Sequence, residues 1–148
     1  MAARKLKARV LIHDKDLYPE GLTKGSEDSV AFDLRCNEDF MIHEGQRLKV
    51  DTMVSITPPK GYSSYLELRS SMRNKGLTSN GLGIIDPDYT GHIMLILQNN
   101  TTSSYKFKRG DRVAQLFFLP VPKVTVEEVE GLEETVRGDG GFGSSGRG

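Results

Sequence analysis

Several short segments carry residue types that could handle a phosphorylated ligand. Arg69-Ser70-Ser71 stands at the start of an expected short helix. A helix start leaves backbone N–H groups unpaired and carries the positive end of the dipole. A guanidinium and two hydroxyls beside it suit a phosphate, although the same residues also read as a serine cap with a surface arginine. Gly81 to Gly91, GLGIIDPDYTG, is a compact turn between apolar segments, with Asp86 and Asp88 inside a hairpin. Its glycines let backbone approach a ligand closely, or act as plain turn residues. Ala31-Phe32-Asp33-Leu34 places one carboxylate between apolar neighbours. That suits a half-buried turn residue or a carboxylate reaching a hydrated metal. Gly110-Asp111-Arg112-Val113-Ala114-Gln115-Leu116 opens a strand with a charged turn, and Gln115 is harder to explain as structure than Asp111 and Arg112.

The tail, GDGGFGSSGRG over residues 138–148, has six glycines in eleven positions. Such a segment buries too little surface to offset its ordering entropy. Phe142 argues against a mere tail, because a lone aromatic there has nothing to pack on until a partner arrives. Other motifs lose their force in context. Gly138-x-Gly140-x-x-Gly143 has neither a strand before it nor a helix after it, so a dinucleotide site is rejected. Arg-Gly-Asp occurs at 109–111 and 137–139, without a secretory signal to support adhesion. His13, His43 and His92 lack ligand spacing, and His92 is expected on an exposed strand edge. Cys36 has no evident base partner and is expected to be inert.

The elements that must position these residues are mostly strands. Leu6, Ala8, Val10 and Ile12 alternate with Lys5, Lys7 and Arg9; Leu48, Val50, Thr52, Val54 and Ile56 read as one further alternating strand. Period 2 means half-buried strands. Tyr62 to Leu68 and Tyr105 to Lys108 behave similarly. Ile93 to Leu97 is unbroken and apolar, which predicts a strand buried on both faces, and Val113 to Leu119 is another strand, stopped by Pro120. Turn signals at 58–61, 99–100 and 109–111 separate them, and many short strands at this spacing predict an all-β sandwich or barrel. One helix is expected over 70–76, with a serine cap and Gly76 just past its end. The Glu-rich stretch 126–136 reads as a solvated exit segment.

The whole is 148 residues, the size of one domain. Twenty basic side chains balance twenty acidic ones, for a net charge of +0, which disfavours a general nucleic-acid binder. One cysteine excludes an internal disulfide and a thiolate cluster. The longest apolar run is far below the ~20 residues that span a bilayer, so a soluble, intracellular protein is expected.

In order along the chain, Ala31–Leu34, Arg69–Ser71, Gly83–Gly91, Gly110–Leu116 and Arg137–Gly146 together resemble the five motifs of the homotrimeric dUTPase family. One departure stands in the first motif, which usually reads Ala-Gly before its aromatic and here reads Val30-Ala31; Ala31 fits if the backbone there does not need φ > 0. The resemblance implies a jelly-roll-like, distorted β-barrel over residues 1–136 and a flexible glycine-rich arm over 137–148 that closes over the active site. It implies a homotrimer with shared sites, cytoplasmic or, in a eukaryotic host, also nuclear, without stable nucleic-acid or membrane binding. The implied reaction is Mg²⁺-assisted hydrolysis of dUTP to dUMP and pyrophosphate, which limits uracil incorporation into DNA and supplies dUMP for thymidylate synthesis. By the same resemblance Asp86 activates the water, and Asp33 holds Mg²⁺ through water. Asn80, Ile84, Ile85, Tyr89, Met94 and Phe142 hold uracil and deoxyribose. Arg69, Ser70, Ser71 and Gln115 hold inner phosphates, while Arg137, Gly141, Gly143, Ser144 and Ser145 grip the γ-phosphate end.

The dCTP deaminases share this fold and the Arg-Ser-Ser motif, but need a glutamate on the strand after the hairpin. Ile96 stands there, and an apolar side chain cannot take a proton from water. A nucleotide-binding protein with a decayed site is disfavoured by the presence of Asp86. A plain β-sandwich module leaves Phe142 unexplained.

Overall fold

Alternating apolar residues build short strands around one core. The computed structural model describes residues 5–79 and 83–143. The strands are β1 (Arg9–Ile12), β2 (Phe32–Arg35), β3 (Phe40–Ile42), β4 (Arg47–Asp51), β5 (Val54–Thr57) and β6 (Tyr62–Leu68). After helix α1 (Ser70–Asn74) come β7 (Leu77–Ser79), β8 (Gly83–Ile85), β9 (Met94–Asn99), β10 (Tyr105–Phe107) and β11 (Arg112–Pro120). These strands pair antiparallel, in the orders β2-β11-β6-β8, β4-β9-β7, β1-β5 and β3-β10. The sheets wrap a shared interior in a distorted, jelly-roll-like barrel whose hydrogen bonding is not continuous around the wall. Leu34, Ile42, Val54, Leu68, Leu77, Leu95, Leu97, Val113 and Leu116 fill it. Among the described residues no helix is long and apolar enough to cross a membrane.

Three expectations about elements need correction. The strand read over 48–56 is two strands, β4 paired with β9 and β5 paired with β1. The chain turns the corner at Met53, the single non-glycine residue with positive φ (59°) among those described. A strand that switches sheets must bend; Val50, Thr52, Val54 and Ile56 all stay buried across the bend, so the apolar pattern did not betray the break. Asp51 supports the bend by accepting the Met53 N–H at 2.8 Å. The helix cap is Arg69, in extended conformation with no side-chain cap bond, and Ser70 is already helical. The strand over 93–97 is not buried on both faces: Leu95 and Leu97 point into the core, whereas Met94 is 37% exposed and Ile96 half-buried.

Ala31 does not have a positive φ, so an alanine in place of the usual glycine carries no backbone strain. Tyr18 bolts the corner internally: its hydroxyl donates to the Thr52 carbonyl and accepts the Arg35 N–H, both at 2.8 Å. Cys36 is buried with its thiol on the Lys108 carbonyl, and burial pushes that thiol up from its ordinary range. The Arg-Gly-Asp turn at 109–111 is tied inward, with Arg109 paired to Asp14 at 2.8 Å and the Asp111 carboxylate accepting the Lys108 N–H.

Candidate active site

The four-stranded sheet carries chemistry at two separate places. The first lies where β2, β11 and β6 run side by side. Asp33 on β2 stands opposite Gln115 on β11, which stands opposite Glu67 on β6. Asp33 is therefore a strand residue and not a turn residue. A register shift between Arg112 and Ala114 bulges β11 here, a device that re-aims side chains. Asp33 is 6% exposed, and Arg69 Nε lies 3.1 Å from its Oδ1. Arg112 Nη1 lies 3.7 Å from Oδ2, an oxygen that is buried and accepts no hydrogen bond. A carboxylate this buried is tolerable because two guanidinium groups flank it. Gln115 donates from Nε2 to the Leu68 carbonyl at 3.3 Å. Glu67 is engaged by Arg73 at 2.8 Å. The hydroxyls of Ser70 and Ser71 face solvent just beyond Arg69.

The second place is the hairpin. Pairing of β8 with β6 sets Ile85 opposite Ser64 and Gly83 opposite Leu66. A side chain at 83 would meet Leu66 at 3.3 Å, so the glycine allows the close strand approach. A cavity of about 270 Å³ opens here, lined by Leu66, Gly83, Ile84, Ile85, Asp86, Tyr89, His92, Ile93 and Met94. That volume is near the lower limit for ligand pockets, the scale of a nucleoside and not of a whole nucleoside triphosphate. Asp86 sits exposed on the rim, and the Tyr89 hydroxyl donates to the His92 carbonyl at 2.7 Å.

The chain thus brings Ile84, Ile85, Asp86, Tyr89 and Met94 together, and separately brings Asp33, Arg69 and Gln115 together. It does not join the two groups. Ile85 and Gln115 are both referred to β6, through Ser64 and Glu67, three residues apart and on strands two spacings apart. At ~3.3 Å per residue and ~4.8 Å per strand, they lie on the order of 14 Å from each other. Arg137 Nε donates to the Gly140 carbonyl within its own turn, and Phe142 is fully exposed. Gly141 and Gly143 belong to that exposed stretch. Asn80, Ser144 and Ser145 lie outside the described residues.

No group of three or more His, Cys, Asp or Glu among the described residues could hold a metal. Asp33 has an acceptor oxygen without a hydrogen-bond partner, but it sits between two cations. That donor set fits an ion held by a ligand's phosphates, with only its water shell touching protein; it does not fit a protein cage.

Sequence reasoning missed the cluster behind the hairpin. His92 is not a free edge residue: its Nδ1 donates to the Asp51 carboxylate at 2.9 and 3.1 Å. Its ring stacks on His13 at 4.0 Å between centroids, and His13 Nε2 bonds the Ser55 hydroxyl at 2.8 Å. These residues come from distant parts of the chain, so no spacing could have joined them.

The small antiparallel β-barrel thus carries a nucleoside-sized hairpin cavity and a separate arginine-serine-glutamine cluster. A family model described as dUTPase matches residues 19–146. The probable deoxyuridine 5'-triphosphate nucleotidohydrolase of Schizosaccharomyces pombe is 38% identical over 124 residues, covering 84% of this chain and 89% of that protein. The corresponding nucleotidohydrolase of Vaccinia virus (strain Copenhagen) is also 38% identical over 124 residues, covering 84% of each. The chain belongs to the dUTPase family. Among solved structures, a mutant of the Staphylococcus bacteriophage 80alpha dUTPase with dUpNHpp superposes at a TM-score of 0.84, covering 95% of this chain and 99% of that one. Sequence identity there is 22%, so the likeness is one of fold.

Proposed function

We propose that this chain hydrolyses dUTP to dUMP and pyrophosphate. The carrying observation is the hairpin cavity, in which one short segment lines a nucleoside-sized space and ends on the exposed Asp86 carboxylate. In this reading the Ile84-Ile85 backbone, with Asn80, reads the uracil edge. A polar site matched to uracil rejects cytosine by donor polarity and thymine by sterics, and the polar mismatch is the stronger filter. Tyr89 lies against the deoxyribose, and Met94 closes the pocket floor.

Asp86 orients a water in line with the α-phosphorus and takes its proton. Arg69, Ser70, Ser71 and Gln115 of a second copy hold the inner phosphates, since one chain's own copies of these residues stand too far from its own cavity. The arm of a third copy, with Arg137, Gly141, Gly143, Ser144 and Ser145 on the outer phosphate and Phe142 on the uracil, completes the enclosure. Sites assembled in this way account for a homotrimer. Asp33 would hold Mg²⁺ through water, and the ion would supply charge neutralisation to the triphosphate. A structural Mg(II) ion is described for a mutant dUTPase from phage phi11 of S. aureus, a fold relative at a TM-score of 0.76 and 19% identity. The reaction would supply dUMP for thymidylate synthesis and, by removing dUTP, limit uracil incorporation into DNA.

Deamination of dCTP is the rival on this fold. It finds no base on β9, where Met94 to Leu97 are all apolar. The test is pyrophosphate release from dUTP, dCTP, dTTP and UTP with Mg²⁺. Release from dUTP far above the other three is expected. Comparable release from dCTP, or none from dUTP, overturns the reading.

A further inference from the structure

Tyr89 cannot hold its place alone. It is 46% exposed, in a turn closed by its own N–H on the Asp86 carbonyl at 3.0 Å. What fixes the ring is the strand entry that follows. The hydroxyl donates to the His92 carbonyl at 2.7 Å. Gly91 leaves the room for this: a side chain there would come within 2.6 Å of the hydroxyl and 2.8 Å of Cζ. Gly91 does not have a positive φ, so its demand is for space and not for backbone freedom.

His92 is in turn anchored from two directions. Its Nδ1 donates to Asp51 at the end of β4, and its ring stacks at 4.0 Å on His13, just past β1. Both anchors are themselves held. Asp51 also accepts the Met53 N–H at 2.8 Å, and His13 bonds Ser55 on β5 at 2.8 Å. Main-chain bonds run alongside, Ile93 N–H to the Val54 carbonyl at 2.8 Å and His13 N–H to the Met53 carbonyl at 2.8 Å. The sheet-switching corner and the sugar-facing turn are therefore one connected unit.

We propose that Asp51, His92 and His13 form a positioning clasp that fixes Tyr89 over the cavity and so sets discrimination between deoxyribose and ribose. The proposal rests on the reading of Tyr89 as the sugar-facing residue. None of the three is a catalytic residue; they act through Tyr89. A side chain that excludes one hydroxyl must not yield when the hydroxyl arrives, and a ring held at one end by its own flexible turn would yield.

The test compares kcat/KM for dUTP and UTP in the full-length enzyme and in Tyr89→Ala, Asp51→Asn, His92→Leu, His92→Asn and Gly91→Ala. Tyr89→Ala tests the underlying reading. His92→Leu and Asp51→Asn should each reduce the dUTP preference by about tenfold, the size of one lost hydrogen bond. The change should come mainly from better use of UTP, and in Asp51→Asn, which lies outside the cavity lining, kcat for dUTP should be little altered. His92→Asn keeps a donor near the Nδ1 position and should recover most of the preference. Gly91→Ala should reproduce the loss without touching any charge, and it serves if His92→Leu does not fold. If Tyr89→Ala loses the preference while His92→Leu, Asp51→Asn and Gly91→Ala keep it, Tyr89 works unaided and the clasp is refuted. If Tyr89→Ala itself keeps the preference, the sugar-facing reading fails first and the clasp with it.

Discussion

Asp86 follows directly on β8 with its carboxylate in solvent, whereas Asp33 is almost fully buried between two arginines. The two carboxylates are thereby suited to different work. The buried carboxylate is enclosed by its two guanidinium partners. An exposed one on the edge of a cavity is free to meet water. Asp86→Asn should accordingly keep dUMP affinity within a few-fold and lose roughly 10²–10⁴ in kcat, the usual span for general-base catalysis. Isothermal titration with dUMP and steady-state pyrophosphate release check the two halves of this expectation, and near-normal turnover rejects Asp86 as the base. Both aspartates stood out in the sequence by their local setting, one between apolar neighbours and one inside a glycine-bounded hairpin. Their environments did not, since Asp33 meets Arg69 and Arg112 only when three strands are laid side by side.

At the scale of elements, period 2 located β6 and β10, which keep a face on the core, and an apolar run located β11; β1 was located by period 2 as well, although its Val10 and Leu11 are exposed. Period 2 failed at the β4–β5 corner for a reason internal to sheets: a chain can change partners while its apolar residues, here Val50, Val54 and Ile56, all stay buried. The expected outward residue Ser55 is buried there, satisfied by His13. Helix α1 was located by its sequence, but its cap was not, because Arg69 is drawn to Asp33 and takes the cap position without a capping side chain. Tyr18, which nothing in the sequence singled out, holds the same corner closed. Burial pushes its phenol up to about 12 from the ordinary 10. The unfolded chain therefore releases this proton at lower pH than the fold does. The stability tied to it is intact below pH 10 and declines as pH rises toward 12, by roughly 3 kcal/mol. Tyr18→Phe should remove that part of the alkaline decline. At neutral pH it should cost about 1–3 kcal/mol by leaving the Arg35 N–H and Thr52 carbonyl unpaired. Urea unfolding of both proteins at pH 7 and across pH 10–12 measures the two effects; parallel curves across the alkaline range would discard the role given to Tyr18.

For the whole molecule, the distribution of apolar surface separates what folds from what waits. The core is closed by residues up to β11, whereas Val124, Val126, Leu132, Val136 and Phe142 are almost wholly exposed. A segment with so much uncovered apolar surface contributes little to the fold of its own chain, and its glycines make ordering costly. On the proposed reading, that cost is offset by a ligand offering both a flat ring for Phe142 and charge for Arg137. A base with a triphosphate offers both. Base stacking on an aromatic is worth ~1–3 kcal/mol in single-strand binders, comparable to the cost of ordering one or two residues, so the phosphate contacts must supply the remainder. Removal of residues 137–148 should therefore leave the melting temperature and the oligomeric state unchanged. The dUMP affinity should fall by no more than the stacking term, and kcat/KM for dUTP should fall much further, because enclosure excludes water and fixes the reactive geometry. Thermal melting, size-exclusion chromatography with light scattering, dUMP titration and pyrophosphate release on the truncated protein read these four quantities. If the truncated protein hydrolyses dUTP at the full-length rate, residues 137–148 take no part in closing the site, and Phe142 is an exposed aromatic with no ligand to cover it.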